Sequence, residues 1–169
     1  MSNISVERID SSSDDELFSL LGKELERRIP AKRGSNDFVT EIRSLPIGLR
    51  AMAATYELDV SLALDDLGWH FGNWHNADLA TETAQGLEEL GAAELARVFT
   101  QAFQLAQRYW ADLGSERWMD WYHGSPFEQL IEPLNKQAWS LLKDKPNGIF
   151  KYWVDYARRH PERVGAEVV

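Results

Sequence analysis

Leu49, Ala53, Tyr56, Val60, Leu64 and Leu67 follow one another at intervals of 4, 3, 4, 4 and 3 residues. That rhythm fits a helical period of about 3.6 and excludes a strand, whose side chains alternate faces every two residues. It predicts a long helix with one continuous buried face, ended by Gly68. At about 100° per residue, Asp59 and Asp66 fall on the same side of that helix, beside the apolar stripe.

The same reasoning places helices on either side. Ser13 and Glu16 have the spacing of a capping box, and Leu17, Leu21, Leu25 and Ile29 carry an apolar stripe as far as Pro30. Lys32, Arg33, Gly34 and Ser35 form a basic connector, and a short helix is expected over residues 37–45. Asn76 is placed to cap a helix with core face Leu79, Thr83, Leu87 and Leu90, closed by Gly91. Residues 94–113 present Leu95, Val98, Phe99, Ala102, Phe103, Ala106, Tyr109, Trp110 and Leu113 on a broad face, as a central buried helix would. Ser125, Pro126 and Glu128 start a helix that Pro133 is expected to kink or divide. Asn147 is placed to cap the last one. No stretch alternates like a strand and no repeat is present, so the expectation is all-α: one compact domain over residues 1–169, about seven helices, frayed over 1–12 and 161–169. Residues 69–76, rich in tryptophan and histidine, read as an aromatic connector.

Charge is distributed unevenly. Residues 1–50 hold 9 acids and 8 bases, and residues 108–169 hold 9 of each. Residues 51–96 contain Glu57, Asp59, Asp65, Asp66, Asp78, Glu82, Glu88, Glu89 and Glu94 without one lysine or arginine. The net charge of −9 comes almost wholly from this segment, and it opposes direct binding to nucleic acid or to an anionic membrane. A charged macromolecular partner should therefore be basic. The chain has no cysteine, which removes thiolate chemistry and disulfides, and it shows neither a signal peptide nor a run of apolar residues long enough to span a bilayer. A cytoplasmic location is expected.

No catalytic motif stands out. His70 and His75, with Asp65 and Asp66 nearby, lack the i, i+4 spacing of a helical zinc site, so neither metal nor cofactor is expected. Adjacent acids on a helix point about 100° apart and do not converge on one substrate. Trp69, His70, Trp74 and His75 form a candidate aromatic pocket, weighed against ordinary core and rim packing. The acidic segment could be a solvated face that aids solubility. Against that stands the absence of cations over 46 residues in a chain that elsewhere balances its charges. Carboxylates on successive helix turns lie about 5 to 6 Å apart, a spacing that could occupy a groove built for phosphates.

The helix bearing Tyr56 and Asp59, the Gly68-Trp69 turn, Glu82-Thr83, Leu87, Leu90-Gly91-Ala92, Leu95 and Phe99 together resemble a known family. It is that of the bacterial DNA-mimic-like helical proteins, otherwise grouped as a domain of unknown function, and the resemblance covers roughly residues 47–156. The family commonly has Asn-Gly-Gly before the turn's aromatic residue, where this chain reads Asp66-Leu67-Gly68-Trp69. The resemblance implies an all-helical fold and no enzymatic residue. For some relatives it implies a homodimer whose acidic surface imitates DNA toward a DNA-binding protein.

The first functional expectation is thus a non-enzymatic acidic protein that occupies a basic DNA-binding or regulatory protein, through the nine carboxylates named above. Reversing Glu82 and Glu89 to lysine is expected to abolish that binding and spare the fold. The alternative is a helical binding module that holds a small molecule or peptide at Trp69, His70, Trp74 and His75. A third class, a small hydrolase or metal enzyme, would require converging side chains that the spacing does not provide.

Overall fold

The computed structural model describes residues 4–143 and 148–165, and these contain eleven α-helices, one 3-10 turn and no strand. The helices are α1 (Val6–Ser11), α2 (Asp14–Arg28), α3 (Asn36–Arg43), α4 (Ile47–Leu64), α5 (Leu67–Asn73), α6 (Ala77–Glu89), α7 (Ala93–Gln107), α8 (Trp110–Leu113), α9 (Trp118–Tyr122), α10 (Pro126–Leu142) and α11 (Phe150–Arg159). The 3-10 turn is Pro161–Val164. The all-α expectation holds, with more and shorter helices than the seven anticipated.

Side-chain caps set many of the boundaries. The Ser13 hydroxyl accepts the Glu16 N–H at 3.3 Å while the Glu16 carboxylate accepts the Ser13 N–H at 2.9 Å, completing the capping box of α2. Ser35, Asn76 and Ser125 accept the third amide of α3, α6 and α10 at 3.1, 3.0 and 3.1 Å. At the end of α6, Gly91 adopts φ +83°, its N–H reaches the Glu88 carbonyl, and the Ala92 N–H reaches that of Leu87. This is a Schellman closure, which needs the left-handed conformation glycine takes without strain. The proposed cap at Asn147 lies outside the described residues.

Helix α4 is the axis of the fold, with ten buried residues against six in α7. It packs along α6 and also meets α2, α3, α5, α11 and the 3-10 turn. Helix α7 lies between α6 and α10, and its expected face is confirmed, with Leu95, Val98, Phe99, Ala102 and Ala106 all buried. The regular helix stops at Gln107, however, and resumes as α8. The periodicity of α4 located only part of its buried face, since Leu49 and Ala53 are buried as expected. Leu64 is 82% exposed and Leu67 belongs to α5, whereas Met52, Leu58 and Leu62 are in the core. A helix covered on several sides is apolar nearly all round, so spacing defines its orientation poorly.

Two further expectations are corrected. Gly68 does not end a helix: α4 stops at Leu64, and the aromatic connector is itself largely helical, as α5. Pro133 does not divide α10, which continues from Pro126 to Leu142. Among the described residues of the two terminal segments, Ile4, Ile9 and Val164 are buried.

Candidate interaction surface

The nine carboxylates do not gather into one unneutralised face. Glu82 projects from α6 toward α3 and α4 and is only 3% exposed. It accepts Arg43 Nε at 2.6 Å, Arg50 Nε at 2.6 Å and Arg50 Nη2 at 2.9 Å. Burial pushes its pKa up, but the bonds and charges of Arg50 and Arg43 outweigh that and hold it below the usual glutamate range. Glu57 meets Arg33 Nη1 at 2.9 Å, and the same guanidinium lies 3.9 Å from the Tyr56 ring centroid. Glu89 pairs with Arg163 at 2.8 Å and accepts the Tyr156 hydroxyl. Glu82 and Glu89 join helices to one another, and Glu57 ties α4 to the connector between α2 and α3.

Asp59 and Asp66 are also drawn inward. Asp59 Oδ1 accepts the Ile149 N–H at 2.5 Å, and burial raises the carboxyl above its ordinary range despite that bond. Asp66 is not on α4. It caps α5 by accepting the Trp69 N–H at 2.8 Å, and it also accepts the Tyr122 hydroxyl at 2.9 Å. Neighbouring Asp65 is half-buried, its pKa raised by burial and then by the charge of Asp66.

Asp78, Glu88 and Glu94 remain exposed. Asp78 has only a long 3.7 Å approach from Arg43, and Glu94 meets Arg97 at 3.1 Å with both side chains more than half exposed. Asp78 opens α6, Glu88 lies in its last turn and Glu94 in the first turn of α7. At 1.5 Å per residue, Asp78 and Glu88 are separated by about 15 Å along the α6 axis. The cations of the network come from positions 33, 43, 50 and 163, outside the acid-only segment, so its sequence alone could not reveal the pairing.

Each of the four residues of the aromatic turn meets a different neighbour. Trp69 packs edge-on to Trp118, with ring centroids 4.7 Å apart. His70 is buried, its Nδ1 2.9 Å from Ser61 Oγ, and burial lowers its pKa to about 3. Trp74 covers Gly34, where an added Cβ would meet its ring. His75 stacks on Trp110 at 4.1 Å and its Nε2 lies 2.8 Å from the Trp110 carbonyl oxygen. Among the described residues no group of three or more histidine or acidic side chains is arranged to hold a metal, and His70 and His75 are engaged separately.

Functional positions that sequence reasoning passed over are the arginines, Arg33, Arg43, Arg50 and Arg163. Their long-range partners lie 24, 39 and 32 residues away for the first three, well beyond the i+3 and i+4 pairs a helical pattern exposes.

Fold and surface define a class: an all-helical, net acidic protein in which a buried ion network fixes the helices and a smaller set of carboxylates faces solvent. A family model described as DMP19-like protein matches residues 43–160, and the chain belongs to that family. The matched region takes in Arg43, Arg50 and Glu82 together with all three exposed acids. Neither a curated protein nor a solved structure matches the chain.

Proposed function

We propose that this protein is a non-enzymatic DNA mimic that occupies the basic surface of a DNA-binding or regulatory protein. The observation carrying the reading is membership of the DMP19-like family, a name that denotes a DNA mimic, over residues 43–160. The net charge of −9 supports it, because a basic groove attracts such a surface as it attracts phosphates. Within the matched region the contact residues are Asp78, Glu88 and Glu94, the acids of the segment that face solvent, with Asp65 at their margin. Glu57, Asp59, Asp66, Glu82 and Glu89 act indirectly, by holding the helices that present them. A homodimer, which the resemblance implies for some relatives, would double this surface, and sedimentation equilibrium measures whether it forms.

The test is capture of partners from a bacterial lysate on the immobilised full chain at low salt. A basic DNA-binding protein should be retained, released by duplex DNA, and lost on D78K/E88K/E94K. Retention that duplex DNA does not displace, or that survives the triple reversal, would reject the mimic. The reversal of Glu82 expected at first to spare the fold is unsuitable, since a lysine there would face Arg43 and Arg50.

A further inference from the structure

Four helices, α2, α4, α10 and α11, converge around a cavity of about 490 Å³ on the side of the molecule where the indole of Trp139 meets the end of α4. Its walls include Phe18, Leu62, Trp139, Leu142 and Phe150, with Asp59 among them. Phe18 and Phe150 stack with centroids 4.4 Å apart, which makes one wall a rigid aromatic surface. The Trp139 indole N–H is committed to the Leu62 carbonyl at 3.2 Å. That bond fixes the ring as a second wall and leaves it no donor for a guest.

Asp59 is the chemically distinctive group. Its Oδ1 is held by the Ile149 N–H. Gly148, at φ +58°, presses so closely that an added Cβ would collide with the same oxygen, which pins the carboxyl in place. Among the described residues the hydrogen bond made to this carboxylate is the one at Oδ1. Asp59 is half-buried and its Oδ2 stays accessible, so a donor entering the cavity would replace water at that oxygen. Asp15 and Lys143 also line the cavity and both are largely exposed, so among the described residues the site carries two carboxylates against one ammonium group. The volume lies in the range of small-molecule sites, which typically combine apolar walls with a few fixed polar groups.

We propose that this cavity binds a small organic ammonium ion with an aromatic or branched alkyl body. The ammonium donates to Asp59 Oδ2, and the body lies against Phe18, Phe150 and Trp139, whose ring faces also favour a cation. The burial that raises the Asp59 pKa is the same feature that strengthens a charge-assisted bond once an ammonium group is present. The site is separate from the exposed acids of α6 and α7 and stands whether or not the DNA-mimic reading does.

The experiment is titration of the 15N-labelled full chain with 2-phenylethylammonium chloride, beside 3-phenylpropan-1-ol and 3-phenylpropionate as neutral and anionic counterparts. Saturable shifts are expected at the Ile149 and Gly148 amides and the Trp139 indole, with the ammonium binding at least about tenfold more tightly than the alcohol, as a hydrogen bond to a charged group implies. D59N retains an oxygen to accept the Ile149 N–H but loses the charge, and should weaken ammonium binding about tenfold. A63W, at another lining position, should block all three compounds by filling the space. Equal affinity for the alcohol, undiminished binding by a folded D59N or A63W, or no saturable shift below about 10 mM would overturn the assignment.

Discussion

Glu82 keeps a negative charge at 3% exposure because two arginines bring three donors to it. Removing one member of such a set leaves the others desolvated and facing each other, which for fully buried pairs costs several kcal/mol. Arg43 and Arg50 are 43% and 27% exposed, so water recovers part of that, and E82Q should lose about 2 kcal/mol in urea denaturation. E88Q, on the outer side of the same helix, should change stability by less than about 0.5 kcal/mol. His70 adds a pH dependence. Its folded pKa of about 3 lies below the ordinary value of 6.5, so between those limits the unfolded chain binds a proton that the folded chain refuses. Stability is fully present above 6.5 and falls as pH drops through that window, by up to about 1.4 kcal/mol per unit from this group. Glu82, with its depressed pKa, adds a loss only below the ordinary glutamate range. Urea midpoints of wild type and H70Q between pH 6.5 and 5 separate the two, because H70Q should abolish the slope there. At this scale the types of the residues were legible and their partners were not: Glu82 has the local pattern of a surface acid, and only the fold brings Arg43 and Arg50 to it.

The element least legible in the sequence is α5. Gly68, Gly72 and the aromatic residues between them have the pattern of a connector, since glycine disfavours a helix interior by about 1 kcal/mol relative to alanine. The structure shows what the glycines do instead. A Cβ at Gly68 would strike the Tyr122 ring, and one at Gly72 would strike the Trp118 ring, so the two glycines let α9 lie directly on the backbone of α5. Asp66 ties the same pair together, capping α5 while it accepts the Tyr122 hydroxyl. G72A therefore gains helix propensity yet should lose about 1 to 3 kcal/mol overall, because overpacking displaces Trp118. Thermal denaturation measures the loss, and a red shift of tryptophan emission would report the displaced ring. A melting temperature equal to or above wild type would show that α9 does not depend on this close approach. By contrast, the N-cap, the apolar core positions and the glycine closure of α6 were legible, though its acids Glu82 and Glu89 were not, because those three features depend on neighbours within one or two turns, which sequence spacing records directly.

Across the whole molecule, the question is whether partner binding follows total charge or the position of particular acids. The charge of −9 sets the long-range attraction, which is screened over about 8 Å at physiological ionic strength. Mimicry needs more, because a groove shaped for phosphates meets carboxylates only where the fold holds them still. Asp78, Glu88 and Glu94 lie on two helices that pack against each other, one of them braced at its inner side by Glu82. The triple reversal D78K/E88K/E94K and a second triple reversal at exposed acids elsewhere, E7K/D112K/E116K, change the net charge by the same amount. If position governs, the first should abolish capture of the basic partner while the second weakens it modestly and mainly through the association rate, as loss of steering does. Binding of wild type should also weaken steeply as salt rises from low to physiological concentration. Equal losses from the two triple variants would mean that the partner responds to overall charge alone, and α6 and α7 would then hold no imitation of a phosphate backbone.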